Sequence, residues 1–468
     1  MSRTRQEQDS MGTMAVPAAA LYGAQTARAV ENFPISGQRL PRAMIRALAL
    51  IKQQAAASNR DLGLLPAELA AAIIAAADEV AQGQHDDQFP VDIFQTGSGT
   101  SSNMNANEVI ANRAAQLLGK PLGERPVHPN DHVNLGQSSN DVFPTAIHLA
   151  VAEEIGTRLQ PVLAALQQAL QQKARAFDDV VTIGRTHLQD AVPIRLGQIF
   201  GGYARQLELA GERLTTAVGG LLELPLGGTA LGTGLNTHPE FAGHTIAALA
   251  RVLDLPFREA RNHFEAQSAK DGLIQASGLL KTVAVSLLKI ANDIRFLGSG
   301  PRCGLGQLRL PAVQPGSSIM PGKVNPVMAE SLIQVCAQVI GHDAAVTCGG
   351  VLGNFELNTM MPLLAHNLLT SIALLANAAA LFHHRCVEGL EADRGRCGDL
   401  VEQSLALCTA LAPVIGYDRA AALAKTAWAE GRTVREVALA AKVLPAEELE
   451  RLLDPRPMTT PGIPGHSR

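Results

Sequence analysis

One run of this 468-residue chain constrains its fold more than any other: Leu273, Ala276, Leu280, Val283, Leu287, Ile290, Ile294 and Leu297 follow one another at alternating intervals of three and four. That is the 3.5-residue period of an α-helix holding one apolar seam against a neighbour along its whole length. A strand alternates its faces every second residue and cannot carry this pattern. Leu279, Val285 and Leu288 lie off the seam, so a second side of the helix should also be covered. A bundle shared between chains does this more readily than a two-layer monomer, with the central helix of a large monomeric bundle as the alternative.

Composition agrees with a mostly α fold, since alanine, leucine and glutamine abound and aromatic residues make up only 3% of the chain. A net charge of −4 and a pI near 6.4, with no basic run, argue against nucleic acid or an anionic membrane as partner and leave a small molecule. The cysteines at 303, 336, 348, 386, 397 and 408 form no CxxC pair and are expected to be reduced, buried thiols. Arg3 and Arg5 are followed by Glu7 and Asp9 instead of an apolar stretch, and no 18-residue run is free of polar interruption. The expectation is a soluble, cytoplasmic protein.

The length calls for two or three lobes. Periodicity predicts helices over 42–82, broken near Gly63 to Pro66, then over 108–118, 145–177, 199–218, 330–345 and 363–385, and a smaller helical unit at 396–450. Gly97 to Asn105 and Gly119 to Asn140 read as loops, and the Pro/Gly-rich tail 455–468 as partly disordered. With a boundary near 137, the expected segments are 1–137, 138–395 and 396–468.

Four polar clusters interrupt this helical pattern. Gly316-Ser-Ser-Ile-Met-Pro-Gly-Lys-Val-Asn-Pro326 displays Ser317, Ser318, Lys323 and Asn325 on backbone that its glycines and prolines keep irregular, as suits a mobile anion-binding lid. It is not a phosphate-binding P-loop, because five residues separate Gly316 from Gly322-Lys323 and Val324 stands where a metal-binding hydroxyl is needed. Thr96 to Asn105 offers neutral donors just ahead of a helix, which serves either an anion or an ordinary helix cap. His128-Pro-Asn-Asp-His-Val-Asn134 with Gln137-Ser-Ser-Asn-Asp141 gives a third set, in which His128, Asp131 and His132 lack the helical spacing of metal ligands. His187 lies in the fourth, Gly184-Arg-Thr-His-Leu-Gln-Asp190, where a structural histidine is the competing reading. Four such clusters without metal ligands point to a site assembled around a small anion, and hydroxyls, amides and one lysine suit a dicarboxylate.

With these motifs in order, the chain resembles the fumarase/aspartase superfamily and, within it, the class II fumarases. The resemblance runs from Asp9-Ser-Met-Gly12 and Gly23-Ala-Gln-Thr26 to the C-terminal unit, with the superfamily signature complete at 316–326. Gly97-Ser98-Gly-Thr100, His128-Pro-Asn-Asp131, Ser138-Ser139-Asn140 and Gly232 to Glu240 are similar to fumarases. Pro193-Ile-Arg-Leu and Met458-Thr-Thr-Pro-Gly-Ile look more like aspartases, while Leu135-Gly136 and Gln307 depart from commoner fumarase sequences. Aspartate ammonia-lyase therefore stands as the alternative activity, and a non-enzymatic structural protein as a remote one.

The resemblance implies a three-domain, mostly helical fold whose long central helices build a homotetramer core, with active sites shared among three chains. It implies reversible hydration of fumarate to L-malate through a carbanion, a step of the tricarboxylic acid cycle, without cofactor or metal. Ser317 would be the base, Lys323 and Asn325 would meet the charge that develops, and His187, oriented by Glu330, would serve the oxygen side. Ser98, Thr100, Ser138, Ser139, Asn140 and Thr186, together with Lys323 and Asn325, would hold the dicarboxylate. His128, Asn130 and Asp131 would form a second anion site.

Overall fold

A computed structural model of the chain describes residues 3–463. A hairpin of β1 (Thr4–Asp9) and β2 (Gly12–Pro17) precedes α1 (Ala24–Asn32), α2 (Arg42–Asp61), α3 (Ala67–Ala81), α4 (Thr100–Leu117), α5 (Ser139–Glu154) and α6 (Gln160–Ala176), the last two joined through a π turn at Ile155–Leu159. A second hairpin, β3 (Val181–Thr186) and β4 (Gln189–Arg195), leads into α7 (Leu196–Gly219), α8 (Phe241–Leu253), α9 (His263–Ser268) and α10 (Asp271–Leu297). Then come α11 (Val327–Val351), α12 (Met361–Phe382), α13 (Arg394–Gln403), α14 (Ala412–Ile415), α15 (Tyr417–Glu430), α16 (Val434–Ala440) and α17 (Ala446–Leu452). Among the described residues, strands pair only two by two, so the fold is mostly α.

By internal packing the chain divides into two compact units. The first comprises Met1–Pro161, Glu212–Ala284 and Cys336–Ala376; the second comprises Val162–Gly211, Val285–Val335 and Asn377–Arg468. The seam of α10 contributes to both: Leu273, Ala276, Leu280 and Val283 are buried in the first and Leu287, Ile290 and Ile294 in the second, all at 1% exposure or less. Each buried leucine or isoleucine of this kind contributes roughly 1.5–3 kcal/mol. In the first unit Met44, Leu48, Ile51, Ile73, Phe143 and Ile147 complete a core between α2, α3 and α5. In the second, Phe200 packs edge-on against Phe177 with ring centroids 5.3 Å apart, and α13 to α17 close over Val401, Leu407, Leu411, Val437, Leu449 and Leu453.

Several expectations are revised. The stretch Gly97 to Asn105 is loop only as far as Gly99, because α4 begins at Thr100. Its asparagines are buried helical residues with dedicated partners: Asn103, like Asn107 just beyond, donates to the Asn134 amide oxygen, at 3.2 and 3.1 Å, and Asn105 to the Gln88 carbonyl at 2.9 Å. Helix α5 starts at Ser139 and carries Pro144 in its second turn, ahead of the expected 145. Cys336, Cys386 and Cys397 are buried, whereas Cys303 and Cys348 are exposed, so not every thiol is sheltered. In the tail, Pro457–Thr459 forms a 3-10 turn and the Arg456 guanidinium donates to the Asp178 carbonyl at 2.6 Å; 464–468 lie outside the described residues.

Two helical stretches among the described residues, Asp271–Leu297 and Met361–Val387, are long and apolar enough to cross a membrane. Both carry buried polar groups bonded within the protein, as core helices do: the Ser277 hydroxyl donates to the Asp343 carboxylate at 2.8 Å, and the Ser371 hydroxyl meets a His342 ring nitrogen at 2.9 Å.

Candidate functional site

In the first unit, the N-termini of α4 and α5 bring three expected hydroxyls into line. Ser98 Oγ lies 2.8 Å from Thr100 Oγ1, which lies 2.7 Å from Ser139 Oγ. Gly99 makes the approach possible: it caps α4 with φ of 75°, and a Cβ there would fall 2.2 Å from the Phe143 ring of α5. Ser98 and Ser139 are buried, so their orientation is fixed by packing. Two helix N-termini, each the positive end of its macrodipole, make this a place for carboxylate oxygens.

Ser138 and Asn140 also tie their surroundings together. Ser138 is the N-cap of α5: its hydroxyl oxygen accepts the Asn140 amide at 3.2 Å, while Asp141 accepts the Ser138 amide at 2.9 Å, a reciprocal capping box. The Asn140 side chain donates to the Ala230 carbonyl at 2.7 Å and ties in the loop that precedes Gly232.

Below the hydroxyls lies a buried polar layer that sequence reading did not single out. Lys52 is fully buried and donates to Asn134 Oδ1 at 2.8 Å and Gln137 Oε1 at 2.9 Å. Asp141, also fully buried, accepts the amides of Gly227 and Thr229 at 3.0 and 2.9 Å. Burial lowers the Lys52 pKa and raises that of Asp141, and the opposite charge of each group partly restrains the other. Lys52 is isolated within an apolar periodic stretch, and only the polar character of Asn134 and Gln137 hinted that a buried cation would need them.

The Gly23-Ala-Gln-Thr26 motif also finds its reason here. Buried Glu108 of α4 accepts the amides of Gly23, Gln25 and Thr26 and the Thr26 hydroxyl, the last at 2.6 Å, so a distant carboxylate caps α1. Burial pushes its pKa up, against those hydrogen bonds. A cavity of about 370 Å³ adjoins it, lined by Glu7, Asp9, Glu108, Arg125, His128 and Asn130 among others. His128 Nδ1 accepts the Asp131 amide at 3.1 Å and lies 3.1 Å from that carboxylate, and His132 Nδ1 accepts the His128 amide at 2.9 Å. Asp131 itself points to solvent.

The second unit holds the remaining candidates. His187 and Leu188 are the two central residues of the β3–β4 hairpin turn, with φ of 58° and 62°, the left-handed pair of a type I′ turn. His187 and Thr186 are exposed at its tip. The hairpin is anchored by Gln307, fully buried, which accepts from Arg185 and donates to Thr182, both at 2.5 Å. A residue that only departed from the common pattern in sequence thus supports the strand carrying His187.

The Gly316 to Pro326 segment is a loop pinched at its base. The Gly316 amide donates to the Lys323 carbonyl at 2.9 Å, and the Asn325 side chain donates to the Gly316 carbonyl at 2.7 Å. A Cβ at 316 would sit 2.6 Å from the Lys323 oxygen, so glycine is required for the closure. Inside the pinch, Ser317 Oγ accepts the amides of Met320 at 2.9 Å and Ile319 at 3.2 Å. Two amides aimed at one hydroxyl oxygen stabilise negative charge on it. Ser317 and Lys323 line an open cleft of about 440 Å³, and Ile319 is 84% exposed at the loop's apex. Glu330 lies in the first turn of α11. Among the described residues neither its carboxylate nor the His187 ring has a hydrogen-bond or ion-pair partner, so the expected pairing of these two side chains is not made within one chain.

Comparison with known proteins places these motifs in context. The chain matches the lyase family over residues 12–341 and the fumarase C C-terminus over residues 407–460. It is 54% identical over 460 residues to a class II fumarate hydratase of Nitrosomonas europaea, covering 98% of this chain and all of that one. It is 58% identical to the class II fumarate hydratase of Halobacterium salinarum, covering 98% of each. Its fold is similar to the crystal structure of a class II fumarase from Schistosoma mansoni, with a TM-score of 0.95 and 41% identity over 98% of this chain and 99% of that one.

Proposed function

Because this chain belongs to the class II fumarate hydratases, we propose that it interconverts fumarate and L-malate, with Ser317 as the base that exchanges the carbon-bound proton. The pair of loop amides on Ser317 Oγ carries this reading. In the malate-to-fumarate direction the ionised oxygen takes the C–H proton next to a carboxylate. The electron pair left behind spreads onto that carboxylate, where Lys323 and Asn325 meet it. The C–O bond then breaks on the opposite face, and hydroxide leaves as water by taking a proton from His187, directly or through a held water. The aligned hydroxyls of Ser98, Thr100 and Ser139, with Asn140 and Thr186, hold the dicarboxylate in place. Ser138 contributes through the cap that aims Ser139, and His128, Asn130 and Asp131 serve a second anion site.

The active form is a homotetramer, in which the Ser98–Ser139 cluster of one chain, the His187 hairpin of another and the Ser317 loop of a third complete each site, and in which His187 meets Glu330. Segments 1–137, 138–395 and 396–468 act as the N-terminal, central and C-terminal domains. Exposed apolar residues on the long helices support this: Val285 and Phe296 on α10, Ile340 and Val351 on α11 and Leu381 on α12 are 37–75% exposed in the single chain. A soluble, cytoplasmic setting suits such an enzyme.

Following absorbance of fumarate with malate or aspartate as substrate tests the activity. Malate dehydration should exceed ammonia release from aspartate by at least roughly a hundredfold; the reverse order would make the protein an ammonia-lyase. For the shared site, inactive Ser317→Ala and His187→Asn subunits are unfolded, mixed and reassembled. About a quarter of sites should then be intact under random symmetric assembly, and no recovery from confirmed hybrids would place both residues in one chain's site.

A further inference from the structure

Away from the site described above, His383, His384 and Glu388 offer three ligand atoms that lie within 4.8 Å of one another. They sit where α12 gives way to a π turn over His383–Val387. On a regular 3.6-residue helix, positions 383 and 388 would face directions about 140° apart. The wider turn changes this. It closes with the Glu388 amide donating to the His383 carbonyl at 3.0 Å, which places residue 388 about one turn beyond 383 and brings its carboxylate round to both imidazoles.

One carboxylate oxygen, Glu388 Oε1, lies 2.9 Å from His384 Nδ1 and 3.3 Å from His383 Nε2. The two rings are stacked, with centroids 4.3 Å apart and planes 26° apart. Atoms that share a divalent cation at about 2.0–2.2 Å stand roughly 3–4 Å from each other, so these side chains are close to a coordinating arrangement as they are. Among the described residues no lysine or arginine forms an ion pair with the carboxylate, although its charge acts on the Lys173 ammonium. Among the described residues its ion-pair partners are these two imidazoles, while the nearby Lys173 ammonium is engaged by the carbonyl oxygens of Glu388 and Leu390, both at 2.8 Å. The His383 side chain is mostly buried. His384 and Glu388 face solvent, which leaves the other coordination positions to water.

We propose that His383, His384 and Glu388 form a binding site for a borderline divalent transition cation of the zinc, cobalt or nickel kind, separate from the hydration chemistry. Two imidazole nitrogens and one carboxylate oxygen select such ions over magnesium and calcium, which prefer oxygen throughout. The same turn carries Arg385 and Cys386, which line a small cleft with Asn325 to Ala329, so a bound cation fastens a turn that packs beside the foot of the signature loop.

Chelator-treated, full-length protein titrated with Co²⁺ at neutral pH tests this through calorimetry and the visible absorption of the bound ion. One Co²⁺ per chain is expected, undisplaced by excess Mg²⁺, with affinity at least about tenfold weaker in H384A and in E388Q. Both side chains are more than half exposed, so the variants should keep wild-type circular dichroism and fumarate turnover. Absence of stoichiometric Co²⁺ binding by the wild type, displacement by Mg²⁺, or unchanged affinity in either variant overturns the proposal.

Discussion

The two ends of the proposed chemistry are built in opposite ways. In the first unit, Ser98, Thr100 and Ser139 are locked by two helix starts, a glycine that admits an aromatic ring, and a polar layer in which half-buried Asn134 and Gln137 accompany buried Lys52 and Asp141. In the second, Ser317 and His187 stand on a pinched loop and a two-residue turn whose tips face solvent. Groups that only hold a substrate can be set permanently during folding. Groups that must create and discharge a strong base need water excluded at that moment, and a loop that opens and closes provides this. Ile319, Met320 and Val324, apolar and exposed on the loop, are suited to meet whatever closes over it.

The sharpest way to break this contrast is to remove one group from each side. Ser317→Ala leaves the pinch between Gly316, Lys323 and Asn325 intact and should lower kcat by roughly three orders of magnitude with KM little changed. Retention of a tenth of wild-type turnover would exclude Ser317 as the base. Thr100→Ala removes the middle hydroxyl of the chain of three and leaves Ser98 and Ser139 without their shared partner. Its loss should be about 10–100-fold in kcat/KM and should appear substantially in KM. If both variants lowered kcat alone and to the same extent, the division between holding and reacting would be wrong.

The same contrast governs what was legible in the sequence. The seam of α10 could be read at once, because a period of 3.5 has one structural meaning and all eight residues obey it. The signature loop was legible because glycine and proline mark irregular backbone locally, whereas the His187 stretch read only as a polar cluster and not as the hairpin turn it forms. What stayed hidden was polar and buried. Asn103, Asn105 and Asn107 look like loop residues until their partners at Asn134 and Gln88 are known, and Lys52 looks like a surface lysine until Asn134 and Gln137 surround it. Those partners lie 17 to 85 positions away along the chain, and periodicity carries no information at that range. The His383, His384 and Glu388 group escaped for a local reason: His384 and Glu388 share a face at a spacing of four, but His383 stands five residues before Glu388 and joins them only through the π turn.

A smaller effect is expected at the hairpin. His187→Asn replaces the imidazole with a residue that tolerates left-handed φ, so the type I′ turn should persist and the measured loss should be chemical. About a tenfold fall in kcat is expected if a held water can protonate the departing hydroxide in its place. A fall as deep as that of Ser317→Ala would make the histidine an obligatory proton donor.

The smallest effect probes the rigid side without touching substrate. Glu79 of α3 accepts from Arg113 of α4 at 2.6 and 2.9 Å and lies 2.8 Å from a His85 ring nitrogen, a strut that steadies the helix presenting Thr100. The Arg113 hydrogen bonds, ahead of His85, lower its pKa from 4.5 to about 2. A carboxylate with a depressed folded-state pKa contributes stability that is complete above its unfolded value and is lost as pH falls through the folded one. Wild type should therefore exceed Glu79→Gln by roughly 1–2 kcal/mol near neutrality, with the gap closing between pH 4.5 and 2. Denaturant midpoints measured across that range give the difference directly. If Glu79→Gln also raises KM while leaving kcat intact, the preset clamp depends on the α3–α4 strut; if stability falls with KM unchanged, the layer around Lys52 and Asp141 suffices to hold it.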